Sequence, residues 1–178
     1  MRVHVIKGLV IGLFVVGIGV ALDAQRQRAS PHEAVTATVD GASVSIEYGR
    51  PYMKGRKIFG GPESLVPFGK VWRTGADEAT TLTTDKGLTF GSVSVPAGKY
   101  TLFTIPGDKE WMLVINKQTG QWGTQYDQAQ DAGRVAMKVQ ATSAPVEQFT
   151  IKIADTPAGG EMHFEWESTR AVATFVVK

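Results

Sequence analysis

Charged side chains are concentrated around a tight turn in the stretch "GKVWRTGADEATTLTTD", residues 69–85, where Arg73, Asp77 and Glu78 flank Gly75. The planar guanidinium group of an arginine can bind two oxygens of an anion at once, and a carboxylate such as Glu78 can act as a general acid or base. The charges therefore indicate a ligand grip, a reaction centre, or a structural clamp in which Arg73 pairs with Asp77 or Glu78. The clamp is slightly favoured, because structural ion pairs cluster charges as functional sites do.

The segment before this turn, residues 49–70, is irregular and basic. It contains five glycines and three prolines, and such long loops in compact domains are often functional. Arg50, Lys54 and Arg56 could converge with Arg73 on a carboxylate, a phosphate or an acidic sugar. In the alternative, Arg50 or Arg56 holds carbonyl oxygens of the loop. The apolar residues interleaved with these cations predict that the loop packs on the domain.

A further candidate site is the turn-rich stretch "NKQTGQWGTQY", residues 116–126. An aromatic plate beside amide side chains suits a saccharide, since the sugar ring stacks on the plate while the amides bind hydroxyls. Trp122 would be the plate and Asn116 one of the amides. The alternative is that Trp122 folds back as a lid on the core.

The residue types needed for a metal site or a nucleophilic triad are scarce. The chain has no cysteine, and the histidines beyond the N-terminal segment are His32 and His163. Zinc and iron sites favour clusters of histidine and cysteine, so the sequence predicts no metal and no cofactor. Ser64 lies in the basic loop without a recognisable base beside it, and no nucleophile-elbow motif is present.

Paired carboxylates would suit the hydrolysis or elimination of a carbohydrate. Asp77 and Glu78 are adjacent, and in an extended chain adjacent side chains point to opposite faces. A hydrolase or lyase using Glu78 would therefore need a partner such as Glu47, Glu165 or Glu167.

The N-terminal residues 1–24 have the layout of a secretory signal peptide. Arg2 and Lys7 precede the apolar run "GLVIGLFVVGIGVAL", and small residues follow it. We expect residues 25–31 to be a flexible tether and residues 32–178 to be one exported domain, periplasmic or extracellular, without membrane attachment after cleavage. The remaining net charge, near +1, gives no support to nucleic-acid binding.

The remaining sequence predicts an all-β protein. Roughly ten short strands alternate with turns, which is typical of a β-sandwich of the jelly-roll type. The dipeptide Asp40-Gly41 predicts a hairpin. The C-terminal third reads as four separate strands at residues 134–140, 149–154, 161–167 and 170–178, and residues 126–138 hold one helical turn at most.

Four blocks, "GRPYMKGRKIFGG", "LVPFGKVWRTGADEATTL", "PAGKYTLFTIPG" and "WMLVINKQTGQWGT", resemble the domain-of-unknown-function 2911 family of exported bacterial proteins. The resemblance runs from about Ser30 to the C-terminus. It implies an exported β-rich domain and no established reaction, ligand or catalytic residue. Asp77 stands where the family pattern has an asparagine, which exchanges amide donors for a negative charge.

The leading functional hypothesis is non-catalytic recognition of a small polar or anionic ligand, a saccharide being one candidate. Its expected binding residues are Arg50, Lys54, Arg56, Arg73, Glu78, Asn116 and Trp122. Two alternatives stay open. One is the carbohydrate-active hydrolase or lyase that uses Glu78, and the other is a protein-interaction or structural domain of the envelope, which would present an exposed apolar patch.

Overall fold

A computed structural model of the protein describes residues 30–178, which contain eleven strands and one single-turn 3-10 helix, Gln128–Gln130. The predicted signal peptide and all but the last two residues of the predicted tether lie outside the described residues. The strands are β1 (His32–Val39), β2 (Ala42–Gly49), β3 (Phe59–Gly60), β4 (Val66–Pro67), β5 (Ala76–Thr84), β6 (Leu88–Phe90), β7 (Val93–Val95), β8 (Gly98–Ile105), β9 (Glu110–Asn116), β10 (Asp131–Thr156) and β11 (Gly159–Val177). Among residues 30–178, no helix has the length and apolar composition needed to cross a bilayer.

Nine of these strands form one sheet in the order β1-β2-β5-β8-β9-β10-β11-β6-β7, and all of its neighbours are antiparallel. The sheet folds over so that strands far apart in this order face each other. Tyr48 of β2 reaches β10, where its hydroxyl accepts a hydrogen bond from the backbone N–H of Ile151. Gly133 of β10 lies against Val93 of β7, with no room for a β-carbon. The predicted all-β sandwich is therefore confirmed.

The C-terminal third forms two long strands, where the sequence predicts four short ones. β10 and β11 pair along most of their length, with register shifts between Ala141 and Val146 and between Val146 and Thr150. A bulge bends a strand without ending it, so the irregular residues between the predicted strands did not become turns. The early part of β10 also pairs with β9, and the bend lets one strand serve both layers.

The hairpin predicted at Asp40-Gly41 joins β1 to β2. Both residues have positive φ, 46° and 73°, as a two-residue hairpin turn of this kind requires. Aspartate and glycine are among the residues that adopt this conformation at least cost. Val39 and Ala42 close the ladder on either side of the turn.

The irregular segment 49–70 packs on the sandwich, as predicted. Ile58, Phe59 and Val66 are buried in the core. The ring of Phe59 lies edge-on to Trp72 and Trp111, with centroids 5.7 and 4.7 Å away. Such edge-to-face pairs stabilise a core beyond their buried area. The loop is therefore held by its own side chains and has a defined shape.

Candidate functional site

Three of the four predicted binding cations line one cavity of about 570 Å³, here called the cationic cavity. They are Lys54, Arg56 and Arg73. Asp77 also lines the cavity and is the one acidic residue of its described lining. The cavity thus carries a net positive charge, which attracts anions. Arg50, Lys54 and Arg56 of the loop were predicted to lie near the turn that follows Trp72. Lys54 and Arg56 line the same cavity as Arg73 of that turn, whereas Arg50 does not.

Aromatic side chains form much of the wall. Tyr52, Trp72, Phe103, Tyr126 and Trp166 all line the cavity. The rings of Trp72 and Trp166 are stacked, with centroids 5.8 Å apart and planes inclined by 17°. Trp166 and Trp111 are buried, whereas Trp72 is only partly buried and bridges the core and the cavity.

Hydrogen bonds fix the turn that carries Arg73. Trp72 pairs with Thr104 of β8 through both backbone groups, at 2.7 and 2.9 Å. The buried hydroxyl of Thr74 lies 3.1 Å from that of Thr104, and the hydroxyl of Thr80 donates to the carbonyl of Thr74 at 2.8 Å. The threonine-rich sequence around the turn therefore has a structural role, because short hydroxyl side chains satisfy buried backbone and side-chain groups.

The backbone of this turn is strained. Thr74 has φ 55°, rare for a β-branched residue. Gly75 has φ 155°, and a β-carbon there would lie 2.8 Å from the carbonyl oxygen of Gly49, so the turn and the start of the loop approach closely. Asp77 has φ 63°, a conformation that aspartate and asparagine both tolerate. The asparagine that the family resemblance implies at this position would therefore fit the same backbone conformation.

Arg73 closes the turn through a carbonyl group. Its Nε donates to the carbonyl oxygen of Gly75 at 3.2 Å, and among residues 30–178 no ion pair joins Arg73 to Asp77 or Glu78. Those carboxylates instead lie 3.4 and 3.2 Å from Nε2 of His32. The predicted pairing of Arg73 with Asp77 or Glu78 is therefore wrong, because Arg73 holds the turn through a backbone carbonyl, and its terminal nitrogens take no part in this contact.

The other cavity cations belong to the loop itself. Arg56 donates from Nε to the carbonyl of Met53 at 2.9 Å and from Nη2 to that of Tyr52 at 2.6 Å. This is the loop-holding role given above as the alternative, and it leaves Nη1 without a hydrogen bond within the described chain. Lys54 anchors the loop through its backbone, which donates to Oε1 of Glu147 at 2.9 Å.

Arg50 does not line the cationic cavity. It donates to the carbonyl of Phe149 at 3.1 Å and to the hydroxyl of Thr150 at 2.8 Å, and it pairs with Glu33. The three guanidinium nitrogens of Arg50 thus connect the end of β2 to both β1 and β10. The geometry gives Arg50 a structural role between the layers.

Asn116 is fully buried behind the cavity wall. Its amide donates to the carbonyl of Asp127 and to Oδ1 of Asp131, both at 2.9 Å. Asp131 in turn accepts at Oδ2 from the hydroxyl of Tyr126, which lines the cavity. Asn116 therefore supports a wall residue and does not line the cavity itself.

Burial and the hydrogen bond to Asp131 raise the pKa of Tyr126, so its hydroxyl stays protonated at neutral pH. Tyr126 is the last residue of the candidate stretch 116–126, and the sequence predicts no role for it. The sequence signal that could have identified Tyr126 is its place in the same turn-rich stretch as the amide of Asn116.

Trp122 is exposed and is not part of the described lining of the cationic cavity. It forms an isolated backbone bridge with Glu78, and its neighbours Gly123 and Thr124 line the cationic cavity. The side chain therefore covers neither the core nor the cationic cavity.

Glu78 lines a second cavity, of about 440 Å³, with His32, Glu33, Glu47 and Tyr48 among its other residues. Of the partners considered for Glu78, Glu47 is thus nearby. Within residues 30–178, no group of three or more histidine, aspartate or glutamate residues has the arrangement of a metal site.

The family model for the protein of unknown function DUF2911 matches residues 30–175. No curated protein and no solved structure matches the chain significantly.

Proposed function

We propose that this chain, which belongs to the DUF2911 family of unknown function, recognises a small polar or anionic ligand without catalysing a reaction. The observation that supports this most is the convergence of Lys54, Arg56 and Arg73 on the cationic cavity. A concave site of several hundred Å³ with aromatic walls and a few charged groups is the usual form of a small-molecule site.

The charge of these side chains is available to a ligand. Arg73 uses only Nε, and Arg56 keeps Nη1, among the hydrogen bonds of the described chain. These three hydrogen bonds also restrict the two side chains before a ligand arrives, so less conformational entropy is lost on binding. The ligand would meet a preformed cationic wall.

We place this activity outside the cytoplasm. The proposal follows from the signal-like layout of residues 1–24, a positive start followed by an apolar run. A fractionation experiment on the producing cell tests it, with N-terminal sequencing of the mature protein.

The binding proposal is tested by calorimetry against a panel of inorganic phosphate, glucuronate and short organic acids. The variant Lys54→Gln/Arg56→Gln/Arg73→Gln should lose at least tenfold in affinity for the anions that bind. The control Lys99→Gln/Lys109→Gln/Lys138→Gln removes the same charge from exposed positions outside both cavities. Unchanged affinity in a folded cavity variant, or an equal loss in the control, would count against the cavity as the site.

A second candidate function is a carbohydrate-active hydrolase or lyase that uses Glu78. The supporting observation is that Glu33, Glu47 and Glu78 line the second cavity, where Nε2 of His32 lies 3.2 Å from Oε2 of Glu78. Turnover of a broad glycan set is the test. In Glu78→Gln, the pH–rate profile should lose the limb that reports a titrating carboxylate. If the wild-type protein turns over none of the glycans, this function is excluded for the glycans tested.

A further inference from the structure

We infer that the ligand of the cationic cavity is an amphipathic organic anion, with its charged head at Arg73 and Arg56 and an apolar body against Leu65 and Val71. This deepens the proposed function and rests on it. The positive charge of the cavity alone does not determine this class of ligand.

Apolar side chains line this cavity while remaining exposed to solvent. Leu65 is 46% exposed, Val71 is 39% exposed and Tyr52 is 37% exposed, and all three belong to the cavity lining. Scattered exposed apolar residues are ordinary, but a group of them on one concave surface indicates a surface that is covered in use. An apolar ligand body would bury these side chains.

The neutral polar side chains of the described lining are those of Ser30, Tyr52, Thr124 and Tyr126, and no asparagine or glutamine belongs to it. Of the predicted saccharide-binding residues, Asn116 is buried behind the wall and Trp122 is not part of the described lining. The hydroxyl of Tyr126 already donates to Asp131 and accepts from Arg134. A saccharide presents many hydroxyls that lose water on binding and need partners. The described lining suits a ligand with one charged end far better.

The charged and the apolar residues of the lining come from different positions in the sequence. Arg56 and the turn residue Arg73 supply charge, whereas Leu65 and Val71 come from the end of the loop and the start of the turn. A ligand that satisfies both parts needs an acyl chain or a ring attached to a carboxylate or phosphate. Planar guanidinium groups bind either head group well.

The test is a titration followed by tryptophan fluorescence, since Trp72 and Trp166 line the cavity. The probes are decanoate, decyl phosphate, decanol, glucuronate and inorganic phosphate, with the decyl compounds kept below their micelle concentrations. We expect decanoate or decyl phosphate to bind at least tenfold more tightly than glucuronate, phosphate and decanol. The two decyl anions distinguish a carboxylate source from a phosphate source.

Variants separate the two halves of the site. Leu65→Ser/Val71→Ser should weaken the decyl anions at least fivefold and leave the affinity for inorganic phosphate unchanged. Arg73→Gln should weaken both. Phe68→Ser is the matched control, because Phe68 is exposed and lies in the same segment but is not part of the described lining.

The results distinguish the two proposals. If glucuronate or phosphate binds and the decyl anions bind no better, the amphipathic class is wrong and the anion-binding function stands. If decanol binds as well as decanoate, the charged head is irrelevant and both proposals fail. Both also fail if none of the probes binds the folded wild-type protein.

Discussion

The hydroxyl of Tyr126 donates a hydrogen bond over 2.8 Å to Oδ2 of Asp131, and this contact ties a wall of the cationic cavity to the start of β10. Asp131 also accepts from Asn116 at 2.9 Å and from Nε of Arg134 at 3.0 Å. A carboxylate with three donors is held in one orientation. The position of the tyrosine ring therefore depends on groups that a ligand never touches.

Replacing Asp131 with asparagine should lower the pKa of Tyr126. Burial is the main cause that raises this pKa and would remain, whereas the hydrogen bond to the carboxylate and its negative charge would go. The tyrosinate absorbance should therefore rise at lower pH in Asp131→Asn than in the wild type. The same substitution should reduce anion affinity a few-fold, because the wall loses its fixed orientation.

The double variant Tyr126→Phe/Asp131→Asn identifies the tyrosine concerned. If the shift belongs to Tyr126, the absorbance curve of this variant should match that of Tyr126→Phe alone. An equal shift in both backgrounds would assign the effect to another tyrosine and contradict the prediction.

Gly123→Ala should displace Arg73 and weaken anion binding by about tenfold, which corresponds to about 1.4 kcal/mol. A β-carbon at Gly123 would lie 2.8 Å from Cδ of Arg73 and 2.8 Å from the carbonyl oxygen of Asp77. The backbone oxygen cannot move easily, since it accepts a hydrogen bond from the N–H of Gly123 at 3.0 Å. Calorimetry with the tightest anion measures the loss.

Gly61→Ala is the control for this substitution, because a β-carbon at Gly61 meets nothing within 4 Å. It should leave the affinity unchanged. If both alanine variants bind as the wild type does, Arg73 does not hold the ligand in the position inferred from the cavity.

Features that depend on neighbouring residues were predictable from the sequence. The alternation of strands, the hairpin at Asp40-Gly41 and the packing of the basic loop all follow from local pattern and composition. The convergence of Lys54 and Arg56 on Arg73 was also anticipated, because the loop leads directly into the turn. These predictions needed only short-range geometry.

Features that depend on distant partners were not predictable in this way. Arg50 carries the same charge as Arg56, but its partners Phe149 and Thr150 lie 99 and 100 residues away. No local sequence pattern near Arg50 predicts that β10 will pass beside it. For the same reason Asn116 could not be placed behind the wall, since its role depends on where Asp131 lies.

Tyr48→Phe should destabilise the fold by about 1–2 kcal/mol. The buried hydroxyl accepts from the backbone N–H of Ile151 at 2.9 Å, and phenylalanine would leave that donor without an acceptor. The free energy of unfolding from urea titration measures the loss. Tyr52→Phe is the control, since its hydroxyl makes no hydrogen bond among residues 30–178, and an equal loss in both variants would refute the explanation.

Glu165 should make stability depend on acid pH. Burial favours its neutral form, but hydrogen bonds from Lys152 and Arg170 outweigh this and lower the pKa of Glu165 below its usual 4.5. A lowered folded-state pKa stabilises the fold above about pH 4.5, and the gain is lost as pH falls through the folded value. Glu165→Gln should therefore cost about 2 kcal/mol at neutral pH, with a smaller difference from the wild type at each lower pH. Urea unfolding from neutral pH to below about pH 4.5 measures the free energy of unfolding of each variant. Glu110→Gln, at an exposed position, is the control. A cost of Glu165→Gln that does not vary with pH would contradict the linkage.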